Sequence, residues 1–134
     1  MPTLTVVRGL SGSGKSTYAK SFGDFHVEAD MFFMREGRYQ WTADRLKHAH
    51  EWCFNTVATA MDAGMDVVVS NTFVRRWEFS RYLDYAKELN YDVKVIVCRN
   101  NYGNVHDVPA EALERMTKNW EDYEGEWSYY GELK

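Results

Sequence analysis

Apolar residues along this chain alternate between two patterns: short unbroken runs, and positions repeating every three or four residues. The first suits strands buried on both faces and the second suits helices that bury one stripe. Thr5-Val6-Val7-Arg8 reads as a short buried strand, followed by a glycine-rich loop and a helix from about Lys15 to Phe22. Phe25 to Ala29 is a second strand candidate. From Thr42 to about Ala63, Leu46, Ala49, Cys53, Val57 and Ala60 fall on one helical face. Thr42 suits the helix start and Gly64 its stop. Val67-Val68-Val69 predicts a third strand, Arg75 to Leu89 another helix, and Val93 to Cys98 a fourth strand. Pro109 opens a last helix through Met116 and Trp120, since proline suits a first helical turn. Strands alternating with helices predict one α/β domain over residues 1–134, a mostly parallel sheet of about four strands with helices on both faces.

Composition narrows the class. The 134 residues suffice for one core, and 45% hydrophobic with 27% charged residues argues against disorder. No apolar run approaches the ~20 residues of a membrane span. Met1-Pro2-Thr3-Leu4 runs straight into a strand with no signal-peptide pattern, so a cytoplasmic location is expected. Cys53 and Cys98 are not in a CxxC pair and read as free, buried thiols. The aromatic share is 16%, which reads first as core, although Trp120, Tyr123 and Trp127 could also stack on a base.

Charge is unevenly placed. Of 20 acidic and 16 basic residues, Glu121, Asp122, Glu124, Glu126 and Glu132 fall in the last segment with only Lys134, so the remaining body is neutral and an acidic C-terminal tail is expected from about residue 121. A neutral body argues against broad duplex binding, which needs many phosphate contacts. It leaves room for a local pocket that takes one nucleic-acid end.

The chemistry centres on Gly9-Leu10-Ser11-Gly12-Ser13-Gly14-Lys15-Ser16-Thr17, a Walker A pattern lying between a predicted strand and a predicted helix. Such a loop holds the phosphates of ATP or a related triphosphate on the backbone N–H groups of Gly12 to Thr17. Lys15 adds a full charge for the γ-phosphate, and Ser16 offers its hydroxyl to Mg²⁺. The third strand ends in Ser70-Asn71 rather than the acid of a Walker B strand, and no Asn-Lys-x-Asp guanine reader is present. A small phosphotransferase is therefore favoured over a motor ATPase or GTPase.

Three stretches together resemble the P-loop polynucleotide 5'-hydroxyl kinases, the phage type and related eukaryotic domains. They are Arg8 to Thr17; Ala29-Asp30-Met31-Phe32-Phe33-Met34-Arg35-Glu36 with Ala49-His50-Glu51-Trp52; and Asn71-Thr72 leading to Trp77-Glu78. The Val108-to-Met116 stretch is similar to that family's post-lid helix. The resemblance implies ATP and Mg²⁺ as cofactors and Asp30 as the base that takes the acceptor's proton. It places Asn71 and Thr72 on the substrate side, where Ser70 and Phe73 replace residues that are commonly polar or acidic. Arg35 is a candidate for a substrate phosphate, although the family's arginine lies where this chain has Phe33. In the lid stretch Asn104 and His106 fit the family, but Gly103 takes the place of its arginine, and Arg99 is the candidate substitute. His50 reads as a core histidine, and His48 and His50 point apart on a helix, so they are no metal pair. The implied acceptor is a single-stranded nucleic-acid 5' end or a nucleoside-like molecule. A kinase for a modified DNA base or other small molecule, and an ATP-binding regulator with little turnover, stay open.

Overall fold

The computed structural model describes residues 2–10, 13–35, 43–99 and 110–129, and for residues 34, 35, 43 and 44 only the backbone. The described residues form five strands: β1 (Thr3–Arg8), β2 (Phe25–Val27), β3 (Val67–Asn71), β4 (Asp92–Cys98) and β5 (Trp127–Tyr129). The helices are α1 (Lys15–Lys20), α2 (Met31–Arg35), α3 (Ala43–Asp62), α4 (Trp77–Glu88) and α5 (Ala110–Asn119). The sheet has the order β2-β3-β1-β4-β5, and every pairing is parallel. Val6 of β1 lies between Val69 of β3 and Val95 of β4, so β1 is the central strand. The chain leaves β1 with neighbours on both sides, and the crevice at such a switch point is where open α/β sheets bind ligands.

Side-chain alternation along β1 and β3 divides the interior. Leu4, Val6, Val67 and Val69 face one core with Ala49, Cys53 and Val57 of α3 and Phe79, Tyr82 and Ala86 of α4. Val7 and Val68 face the other side with Ala19 of α1, where Tyr18, Phe22 and Tyr129 complete the cover. The expected two-faced α/β architecture is therefore observed. The helical face anticipated for α3 is also the buried one, with Leu46 packed at its start. Aromatic edges knit the larger core together: Phe54 meets Tyr82, and Phe73 meets both Tyr82 and Phe79. Both cysteines are free and buried. Among the described residues no helix is long and apolar enough to cross a membrane.

Two elements depart from expectation. The sheet has five strands rather than about four, because part of the acidic terminal segment is folded: Trp127, Ser128 and Tyr129 pair with Ile96, Val97 and Cys98. The short α2 follows β2 directly and carries Phe33 into the core. The expected helix start at Thr42 lies outside the described residues.

Candidate functional site

The glycine loop leaves the C-terminal end of β1 and turns into α1. Gly14, at the start of α1, has φ 82°, a left-handed conformation that strains any residue with a Cβ. Gly9 is demanded by space instead: a Cβ there would lie 2.3 Å from Ser13 Oγ and 3.1 Å from the Cys98 carbonyl. The loop is closed by the Ser13 N–H donating to the Leu10 carbonyl at 3.1 Å. Ser13 is 3% exposed, and its buried hydroxyl has no hydrogen-bond partner among the described residues. A buried, unpaired donor inside a glycine loop suits an incoming phosphate oxygen. Gly12 lies outside the described residues, and Thr17 is exposed.

Behind the loop, the turn that follows β2 supplies two carboxylates, Glu28 and Asp30. Lys15 is half-buried, and burial pulls its pKa down while the charges of Glu28 and Asp30 pull it up. The Ser16 hydroxyl donates to Glu28 Oε2 at 2.6 Å, and the Ser70 hydroxyl donates to the same oxygen at 3.0 Å. With that proton committed, the ring of His26 donates from Nε2 to Ser70 Oγ, 2.6 Å away. Desolvation holds His26 below its ordinary range against the pull of Glu28, which favours the neutral ring. Glu28 did not emerge as a candidate from the sequence. Magnesium suits hard oxygen donors, and the Ser16 hydroxyl is one. No group of three or more His, Cys, Asp or Glu ligands occurs among the described residues, so a magnesium ion at Ser16 would draw its other ligands from water and the oxygens of a bound triphosphate.

Asp30 lies half-buried at the turn from β2 into α2. Asn71 holds that turn in place: its Oδ1 accepts the Ala29 N–H at 2.8 Å, and its amide nitrogen donates to Cys53 Sγ at 3.6 Å. The Asn71 side chain is thus occupied within the protein, and it acts on the site by fixing the residue before Asp30. The Thr72 carbonyl accepts the Gly9 N–H at 3.4 Å and joins the end of β3 to the loop. His50, read from sequence as a core histidine, is close enough to Asp30 to feel its charge.

Arg99 is engaged elsewhere. Its Nε donates to Ser128 Oγ at 3.1 Å, and its Nη2 lies 3.5 Å from Glu126 and 3.6 Å from Asp122. These contacts all lie in the terminal segment. The side chain of Arg35, and Asn104 and His106 of the lid stretch, lie outside the described residues. Of the three terminal aromatics, Trp120 stacks on the Arg8 guanidinium at 4.3 Å and Tyr123 meets Phe79 edge-on, whereas Trp127 is 74% exposed.

Arg8, the residue before the glycine loop, is completely buried. Its guanidinium donates to the Phe73, Val74 and Glu121 carbonyls and to the Glu126 carboxylate at 2.5 Å. It thereby ties three parts of the chain together at the C-terminal edge of the sheet. Phe73, held at φ 45°, takes a conformation rare for a non-glycine residue, and two of those hydrogen bonds end on its carbonyl.

Residues 4–122 match the family model described as AAA domain. A relative, protein PM0531 of Pasteurella multocida, is 30% identical over 134 residues, covering 87% of this chain and 75% of its own length. Among solved structures, a gluconokinase of Sinorhizobium meliloti superposes with a TM-score of 0.64 at 19% identity, over 95% of this chain and 81% of that one. A chain of the Pnkp1/Rnl/Hen1 RNA repair complex gives 0.62 at 20% identity over 87% of this chain, which spans only 37% of it. The two structural likenesses are likenesses of fold.

Proposed function

Since the chain belongs to the AAA domain family over residues 4–122, with the fold of P-loop kinases, we propose that it is an ATP-dependent phosphotransferase acting on a hydroxyl, most like a polynucleotide 5'-hydroxyl kinase. One observation carries the reading. The loop cation Lys15 and the strand-end carboxylate Asp30 are electrostatic neighbours at the sheet's switch point, and the Asn71 amide fixes the turn that carries Asp30. A cation for the transferring phosphoryl group and, within reach of its charge, a carboxylate for the acceptor's proton are what in-line transfer needs.

In this reading the loop amides of Gly12 to Thr17 and the Lys15 ammonium hold the β- and γ-phosphates. Ser16 would hold magnesium, which when bound would neutralise phosphate charge. The Asp30 carboxylate takes the acceptor's hydroxyl proton as that oxygen forms its bond to the γ-phosphorus. The bond between the γ-phosphorus and the β–γ bridging oxygen breaks, and ADP leaves. Asn71 and Thr72 shape the acceptor side of the crevice, with Asn71 acting through its bond to Ala29. Arg99 reaches the phosphates only by releasing Glu126 and Asp122.

The likeness to a chain of an RNA repair complex and the sequence resemblance favour a single-stranded 5' end as acceptor. A small hydroxyl compound is the second reading, favoured by the fuller mutual coverage with the gluconokinase. The test compares kcat/KM for a 5'-hydroxyl oligonucleotide, a nucleoside and gluconate, with the wild type and Asp30→Asn. The oligonucleotide should exceed the nucleoside at least about tenfold, and Asp30→Asn should lower turnover by about 10²–10⁴-fold with ATP affinity little changed. Near-normal turnover in Asp30→Asn removes Asp30 as the base. Equal use of oligonucleotide and nucleoside moves the assignment to the small-molecule class.

A further inference from the structure

A magnesium ion held by a phosphate-loop serine commonly leans on a second group, an aspartate at the end of a neighbouring strand. Here the neighbouring strand β3 ends Val69-Ser70-Asn71 and offers no acid. The carboxylate beside Ser16 comes from one strand further out: Glu28, directly after β2. Its backbone is fixed by the Met31 N–H, which donates to the Glu28 carbonyl at 3.1 Å. Its side chain is 19% exposed and receives the Ser16 and Ser70 hydroxyls on one oxygen, Oε2.

The geometry points to Glu28 as the magnesium-positioning carboxylate of this chain, taking from β2 the role for which β3 has no acid. The inference rests on the reading of Gly9 to Thr17 as a triphosphate site. A hydroxyl has one proton and two lone pairs. Because Ser16 gives its proton to Glu28 at 2.6 Å, its lone pairs are turned away from Glu28 and left for a cation. Among the described residues both hydroxyl bonds end on Oε2, so Oε1 would be the oxygen offered to a water bound to magnesium, an ion that keeps several waters in such sites. Ser70, steadied by His26, holds the carboxylate from behind and fixes its direction. A neutral hydrogen-bond acceptor would satisfy Ser16 and Ser70 equally well, so the negative charge is the feature that hydrogen bonding alone does not require.

The experiment measures ATP affinity by calorimetry, with excess Mg²⁺ and with EDTA, for the wild type, Glu28→Gln and Glu28→Asp, with circular dichroism as the check on folding. Glutamine keeps an acceptor for both hydroxyls and removes the charge. The wild type should bind ATP more tightly with Mg²⁺ than without. In Glu28→Gln that Mg²⁺-dependent gain should shrink about 10–100-fold, the usual effect of losing a partner behind a metal ligand. Its affinity in EDTA should be unchanged or higher, because a negative charge facing the triphosphate is gone. Glu28→Asp, which keeps the charge on a shorter arm, should recover part of the gain and gives a second reading if the glutamine variant folds poorly. An equal Mg²⁺ gain in the wild type and both variants overturns the inference while leaving the triphosphate site standing. So does an equal loss of affinity with and without Mg²⁺, which would make Glu28 a support for the loop alone. Absence of ATP binding by the wild type in either buffer overturns the triphosphate reading itself.

Discussion

Replacing Arg8 by methionine should be among the most damaging single changes in this protein, although Arg8 touches neither Lys15 nor Asp30 in any bond described above. The guanidinium is fully buried, stacks between the Phe79 and Trp120 rings at 4.5 and 4.3 Å, and donates to three backbone carbonyls and Glu126. Methionine keeps much of the packing but leaves the Glu126 carboxylate, itself 7% exposed, without its main partner. Removing one member of a buried ion pair costs about 3–5 kcal/mol. At about 2.1 cal/mol/K per residue of unfolding entropy, a chain of this size loses ~3–4 °C for each kcal/mol, so Tm should fall by roughly 10–18 °C. Thermal and urea unfolding followed by circular dichroism measure this directly. Adding Glu126→Leu should restore part of the loss, because the second change removes the stranded charge. A fall of less than ~3 °C for Arg8→Met, with no recovery in the double variant, would refute the view that this clamp holds the terminal segment to the sheet.

Two further outcomes follow from buried polar groups. Asn71→Leu strands the Ala29 N–H and should cost about 1–3 kcal/mol, while lowering turnover more than ATP affinity because the Asp30 turn loosens; unfolding midpoints and a kcat-against-affinity comparison check both parts. Burial, aided by the Arg81 charge, lowers the pKa of His50 from 6.5, so below that pH the unfolded chain binds a proton that the folded chain resists. Stability should therefore drop as pH falls from about 7 towards 5, and His50→Gln should flatten that slope in urea midpoints; an unchanged slope would assign it to other groups.

Much of this was legible in the sequence, for reasons that separate local from distant information. The stripe from Leu46 to Ala60 and the runs at Val67 and Val93 carry their own periodicity, so α3, β3 and β4 could be placed from neighbours alone. β5 could not be. Trp127-Ser128-Tyr129 is too short to show a period, and it is a strand only because β4 has an edge to pair with. Glu28 left a faint signal: His26, Glu28 and Asp30 alternate with the buried Val27 and Ala29, so the segment running from β2 into its turn has one polar side. That polarity was hidden by reading the segment as a plain strand. Arg8 left none, because its partners lie 65 to 118 residues away along the chain.

The acidic segment changes how the basic residues should be counted. From sequence, the acids from about residue 121 form a separate tail. In the fold, Glu121 lies 4.0 Å from Arg75 and 3.8 Å from Arg76 and accepts the Arg76 N–H, while Glu126 and Asp122 face Arg99. Three of the cations available to a nucleic-acid backbone are thus already facing carboxylates. A strand binding there exchanges protein ion pairs for phosphate contacts and releases few counterions. Each net single-strand contact contributes a slope of roughly -0.7 in log affinity against log salt. With the Arg75, Arg76 and Arg99 charges largely offset, the slope should lie nearer -1 than -2, and lengthening an oligonucleotide acceptor beyond a few nucleotides should add little to kcat/KM. An oligonucleotide acceptor would then be selected by the chemistry of its terminal hydroxyl and first nucleotides. A slope steeper than about -3, or affinity that keeps rising with length, would show that the terminal segment gives way and exposes its arginines to the strand.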